Sequence, residues 1–165
     1  MASRKFAEDF PEARVICIEP NSGNLRLAKR NCARFANVVF HQAAVGATCG
    51  HVSILDEATN PNAFRVSPSR SESRIDMVSM TRLIAQNPDC APFIAKIDIE
   101  GFEDNLFAEN TEWIDGCPLM IVELHDWMLP GTANSANFLK AIAARNRDSV
   151  FRGENVFSIR NPRLD

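Results

Sequence analysis

The sequence predicts an α/β domain built on a mostly parallel sheet and closed by an antiparallel C-terminal hairpin. Two observations carry this. Short apolar runs rich in β-branched residues alternate with segments of helical periodicity, which implies a parallel sheet with helices on both faces. The last such runs, Ser149–Arg152 and Val156–Arg160, flank Gly153-Glu154-Asn155 and form a hairpin. The 165 residues suffice for one domain with a real core, so residues 1–165 are expected to form a single domain.

Each element follows from local pattern. Ala2–Phe10 places Phe6 and Phe10 four residues apart before Pro11, a short helix. Arg14–Ile18 is a buried strand, ended by Glu19-Pro20, after which Asn21 or Ser22 caps a helix. Leu25, Ala28, Cys32 and Phe35 recur at helical spacing there, while Arg26, Lys29, Arg30 and Arg34 fall on one solvated face. Val38–Phe40 is the next strand. Ala44-Val45 and His51–Leu55 flank Gly46 and Gly50 and read as a hairpin. Asp56–Arg74 has no periodicity and reads as a long loop, expected to be mobile and to lie beside an acceptor pocket. Strand Ile75–Val78 precedes helix Thr81–Gln86, which Pro88 ends. Pro92–Asp98 and Pro118–Leu124 are strong strands, each leading towards a helix, the first from about Phe102 and the second over Ala133–Arg145.

Composition excludes several classes. Net charge is −3, so no strong field calls for nucleic acid or a membrane surface. No apolar run is long enough to span a bilayer, and the charged N-terminal segment does not read as a secretory signal. Five scattered cysteines without a CxxC pair point to reduced thiols and a cytoplasmic setting. His41, His51 and His125 are too dispersed to propose a metal cluster, so no metal site is expected.

In an open α/β sheet, ligands bind outside the carboxyl ends of the strands. Three strands end in acids here: Ile18 runs into Glu19, Ile97 into Asp98, and Val122 into Glu123. A strand-end carboxylate has two acceptor oxygens and suits a ribose diol, although Glu19 also suits a helix N-terminus simply as a negative charge. Lys96, Asp98 and Glu100 alternate and point to one side, either as a structural ion pair or as part of a site. His125 stands two residues beyond Glu123, at the mouth of such a site. Trp113 reads as packing, whereas Trp127, in the loop after His125, lines either a substrate pocket or the core.

Taken together, Val15–Asn21, Ala43–Gly46, Lys96-Ile-Asp-Ile-Glu-Gly-Phe-Glu103 and Ile121–His125 resemble the FkbM family of methyltransferases, in order and in spacing, from about Phe6 to Asn161. The resemblance implies a Rossmann-like class I methyltransferase sandwich, S-adenosylmethionine as methyl donor, and a hydroxyl of a small molecule or glycan as acceptor. It implies cofactor contacts from Glu19, Asn21, Gln42, Ala43 and Asp98. Asp98 and His125 would be catalytic, and Glu100, Glu123 and Trp127 would face the acceptor. Such proteins open with a strand and a glycine-rich turn about 20 residues before the ribose acid. Here no glycine precedes Gly23, so the first strand is expected to be missing and the domain truncated at its N-terminus. Two other readings are a nicotinamide dehydrogenase, disfavoured by the absence of tyrosine and of a second glycine-rich turn, and a non-catalytic remnant or interaction module that binds no cofactor.

Overall fold

The structure, a computed structural model, describes residues 2–54, 66–67 and 74–162. By its contacts the chain divides into two compact units, residues 1–45 with 50–77, and residues 46–49 with 78–165.

The first unit opens with helix α1 (Ala2–Asp9), which buries Ala7, and strand β1 (Val15–Ile18). Helix α2 (Ser22–Asn31) follows, capped at its N-terminus by Asn21, whose side chain accepts a hydrogen bond from the Asn24 N–H. Leu25, Ala28 and Cys32 are buried on one face, while Arg26, Lys29, Arg30 and Arg34 are exposed. Strand β2 (Val38–His41) lies parallel to β1 in register Val15 with Val38 through Ile18 with His41. The Asn37 amide ties this layer together, donating to the carbonyls of Ala7 (3.5 Å), Phe10 (3.3 Å) and Ala13 (3.0 Å). The backbone bend between α1 and β1 thus gains hydrogen-bond partners that a turn alone would leave to water.

Strands β3 (Ala44–Gly46), β4 (Gly50–Ile54), β5 (Val66–Ser67) and β6 (Arg74–Ser79) form a sheet in the order β3-β6-β4-β5. The expected hairpin between Ala44-Val45 and His51–Leu55 is therefore not formed, because β6 lies between β3 and β4. Antiparallel β6 supplies β4 with partners from Gly50 opposite Met77 to Ser53 opposite Arg74. The intervening turn is held instead by side chains of its own unit: the Ala47 N–H donates to Asn105 Oδ1 (3.2 Å), and the Ala47 carbonyl accepts from Asn110 Nδ2 (3.3 Å). Of the loop expected over Asp56–Arg74, Val66 and Ser67 form β5 and Arg74 opens β6; its remaining residues, and its proposed place beside an acceptor pocket, lie outside the described residues.

The second unit contains helix α3 (Met80–Ala85), strand β7 (Ile94–Ile97), the short helix α4 (Glu103–Leu106), strand β8 (Leu119–Glu123), helix α5 (Ala136–Ala143), and strands β9 (Arg147–Arg152) and β10 (Asn155–Arg160). Two 3-10 helices, Glu112–Gly116 and Asp126–Met128, bracket β8. The sheet order is β7-β8-β10-β9, with β7 parallel to β8 and the other neighbours antiparallel. Met120, Val122, Val156, Leu106, Ile114 and Phe138 are among the buried side chains of this unit. The Phe107 ring lies 4.9 Å from Phe138 and 6.0 Å from Trp113, so Trp113 is packing, as its sequence context suggests. Arg147 is bound to Ser158 Oγ (2.8 Å) and to the carbonyls of Ile114 (3.0 Å), Cys117 (2.9 Å) and Ser158 (2.8 Å), which fixes the start of the hairpin to the loop before β8.

The fold is thus α/β with mixed sheets, and the expectation of a mostly parallel sheet needs correction. Among the described residues, β1 with β2 and β7 with β8 form parallel ladders. A two-residue turn forces β9 and β10 antiparallel, and β10 then seats itself on β8 inside the sheet rather than at a margin. Strand β1 has β2 as its ladder partner, and β7 is an edge strand with β8 on its paired side.

Candidate functional site

The parallel pair β7–β8 brings the carboxyl ends of two strands side by side, with Ile97 opposite Val122. The residues just beyond, Asp98 and Glu123, are therefore neighbours by register. Lys96 lies between them, its Nζ 3.3 Å from Glu123 Oε2, 3.8 Å from Asp98 Oδ2 and 3.0 Å from Asn155 Oδ1. Of the two readings that the alternation of Lys96, Asp98 and Glu100 left open, an ion pair is present, made with Asp98 and Glu123, and it takes one oxygen from each of these two carboxylates.

Past β7 the chain reverses through Glu100 (φ 52°) and Gly101 (φ 91°). A Cβ on Gly101 would meet Leu129 Cδ1 at 2.8 Å, so this position needs glycine for both space and backbone conformation. Glu100 has no such licence. A left-handed backbone costs a non-glycine residue on the order of 1 kcal/mol or more, and such strain gathers at functional sites. The turn also leads directly into α4, whose first residue is Glu103.

Glu103 is fully buried, and His125 is 2 % exposed. Glu103 Oε1 accepts from His125 Nδ1 at 2.7 Å and from the Gly101 N–H at 3.4 Å; Oε2 accepts from Asn134 Nδ2 at 2.6 Å. Burial pushes the Glu103 carboxyl up, but the hydrogen bonds from His125, its own backbone and Asn134, with the field of His125, outweigh it and hold Glu103 below its ordinary value. The hydrogen bond to Glu103 raises the pKa of His125 against the opposing effect of burial, with further help from the charges of Glu103, Glu100 and Asp98. An anionic Glu103 requires the proton on Nδ1, so the neutral imidazole carries its lone pair on Nε2.

That Nε2 faces the strand-end acids. Glu100 Oε2 stands 3.6 Å away, and Asp98 Oδ1 and Glu123 Oε1 each 3.8 Å. Burial raises the pKa of Glu100, and the charges of Asp98, Glu123 and Glu103 add to this while His125 opposes it. Asp98, Glu123 and His125 form a group whose ligand atoms all lie within 4.8 Å of one another, and which could hold a metal ion. Dispersed histidines in the sequence give no sign of such a group, because two of its three ligands are carboxylates.

The structure thus brings together Asp98, Glu100, Glu123 and His125. Trp127 sits in the 3-10 helix that follows His125 and is 68 % exposed, outside the core. In the first unit, Glu19 follows β1 and Gln42-Ala43 follow β2; because Ile18 pairs with His41, these residues emerge from the same end of that parallel pair. Gln42 is exposed and Ala43 buried. Glu19 Oε1 accepts from the Asn21 N–H at 2.8 Å, and the Asn21 Oδ1 is engaged in capping α2. These two contacts give both residues a local structural role at the helix start.

Glu103 and Asn134 were not singled out by sequence reasoning. Glu103 closes the Lys96–Glu103 motif, but nothing in a sequence distinguishes a wholly buried acid in a first helical turn from a solvated one. Asn134 carries no sequence signal at all. No protein-family model, curated protein or solved structure matches this chain.

Proposed function

We propose that the chain is an S-adenosylmethionine-dependent O-methyltransferase of FkbM type with a Rossmann-like core, acting on a hydroxyl of a sugar or secondary metabolite. The observation that supports this most is the buried Glu103–His125 pair, which fixes the imidazole tautomer and presents Nε2 among acids at the carboxyl ends of two parallel strands. The cofactor would supply an activated methyl on a sulfonium; the chain's task is to hold an alcohol and accept its proton. Neutral His125 has its lone pair placed for that, with Glu103 stabilising the imidazolium formed, and proton transfer of this kind is worth about 10²–10⁴-fold. Asp98, Glu100 and Glu123 offer acceptor oxygens to the other hydroxyls of a polyol. Glu19, at the end of β1, suits the ribose diol, with Asn21, Gln42 and Ala43 around it.

Calorimetric titration with S-adenosylhomocysteine tests the reading. Relative to the wild type, Glu19→Gln is expected to lose about tenfold or more in affinity. Equal affinities would remove Glu19 from the cofactor site. A second reading, a non-catalytic interaction module, draws support from β1 and β7, each of which is ladder-paired on one side only among the described residues. It requires that no cofactor bind at all.

A further inference from the structure

We infer that Asp98, Glu123 and His125, with Glu100 alongside, form a binding site for one divalent transition-metal ion of the Mn2+ or Zn2+ kind. His125 anchors the site. Its side chain is 2 % exposed, and its Nδ1 is committed to Glu103 at 2.7 Å. A carboxylate behind the far nitrogen is the arrangement that orients a metal-bound imidazole and raises its basicity. Nε2 makes no hydrogen bond among the described residues, although Asp98 Oδ1, Glu123 Oε1 and Glu100 Oε2 surround it at 3.6–3.8 Å.

Those separations are too long for hydrogen bonds and near the spacing of ligands around an ion. Metal–ligand bonds of about 2.0–2.2 Å imply ligand atoms roughly 3.0–3.6 Å apart in octahedral or tetrahedral geometry. Side-chain shifts of a few tenths of an ångström up to about 1 Å would therefore close the site, since Asp98, Glu123 and His125 already converge within 4.8 Å.

Lys96 is the obvious competitor, and the atoms divide between the two. Lys96 takes Oδ2 of Asp98 and Oε2 of Glu123; Nε2 faces Oδ1 and Oε1. Each carboxylate thus has its second oxygen directed into the space beside Nε2. The charge also remains unbalanced. Asp98, Glu100, Glu103 and Glu123 are four acids against Lys96 and one imidazole, so two negative charges are left even when His125 is protonated. One nitrogen with two or three carboxylate oxygens suits Mn2+ or Zn2+ better than Mg2+ or Ca2+, which prefer all-oxygen sets.

A bound ion would take the Nε2 lone pair and lower the pKa of a hydroxyl placed on it, whose proton would then pass to the neighbouring Glu100 carboxylate or to water instead of to the imidazole. That role rests on the methyltransferase reading; the binding of the ion does not.

Titrating the full chain with MnCl2, and following free Mn2+ by electron paramagnetic resonance, tests the proposal. Saturation at one ion per chain is expected, with displacement by Zn2+ at lower concentration than by Mg2+ or Ca2+. Asp98→Asn and Glu123→Gln should each weaken binding by about tenfold or more, with the fold confirmed by circular dichroism. Lys96→Met should strengthen it, an effect that a purely structural role for the cluster would not produce. In nuclear magnetic resonance spectra, Mn2+ should broaden the His125 ring signals before those of His41 and His51. Non-saturating binding, or unchanged affinity in both carboxylate variants, would overturn the site. Cofactor titration is a separate measurement, so either idea can fail alone.

Discussion

Replacing Glu103 by Gln keeps the shape of the side chain and removes its charge. His125 would lose the group that raises its pKa most, and the buried hydrogen-bond set with Asn134 would be left imperfectly matched. Glu103→Gln should therefore lower the His125 pKa, read by proton chemical shift, and cost about 1–3 kcal/mol in urea unfolding. The same pair sets a pH dependence. Glu103 lies below its ordinary 4.5 in the folded state, so its contribution is present above 4.5 and lost as pH falls through the depressed value. His125 lies above its ordinary 6.5, so its contribution is full below 6.5 and lost as pH rises through the raised value. Glu100, held up by burial, becomes more costly as it ionises on the alkaline side of 4.5. Stability should peak between about 4.5 and 6.5 and fall on both sides, and the alkaline fall should shrink in His125→Gln. A stability profile in which that limb survives His125→Gln unchanged would place the titrating group elsewhere.

At the scale of elements, two connections carry specific loads. The turn from β7 into α4 needs glycine at 101, where φ is 91° and Leu129 stands 2.8 Å from an added Cβ. Gly101→Ala should destabilise by about 1–3 kcal/mol, and it should also disturb the His125 environment, because the Gly101 N–H and His125 share Glu103 Oε1. The bend from α1 to β1 rests on Asn37, whose amide spans three carbonyls. Asn37→Ala should cost about 1–2 kcal/mol, with amide exchange quickening first around residues 7–13.

For the whole molecule, the consequence of mixed sheets is a set of edges. Strand β7 carries the apolar run Ile94-Ala95 at the margin of its sheet, next to Phe93, which is 53 % exposed. On the far margin β9 exposes Val150 and Phe151. Such strands invite pairing with another chain. Self-association that grows with concentration is expected in light scattering, and Phe93→Lys should reduce it while leaving circular dichroism unchanged. A chain that stays monomeric at high concentration would show that these edges are protected by means other than ladder pairing.

By itself the sequence determined the elements. The β-branched runs, Asn21 before a helical period, and the Gly153 turn are local patterns, and local patterns decide where strands and helices begin. It also placed Asp98, Glu123 and His125 at or just beyond strand ends, since the apolar runs stop there. Tertiary structure decided which strands became neighbours. The placement of β6 between β3 and β4, and of β10 beside β8, depends on ladders formed by residues far apart in the chain, which no local preference encodes. It also decided the chemistry of His125. Glu103 lies 22 residues earlier and Asn134 nine later, and only packing buries all three together and turns Nε2 towards Asp98, Glu100 and Glu123. A histidine acquires a tautomer and a shifted pKa from its neighbours in space, and those neighbours are fixed by the fold.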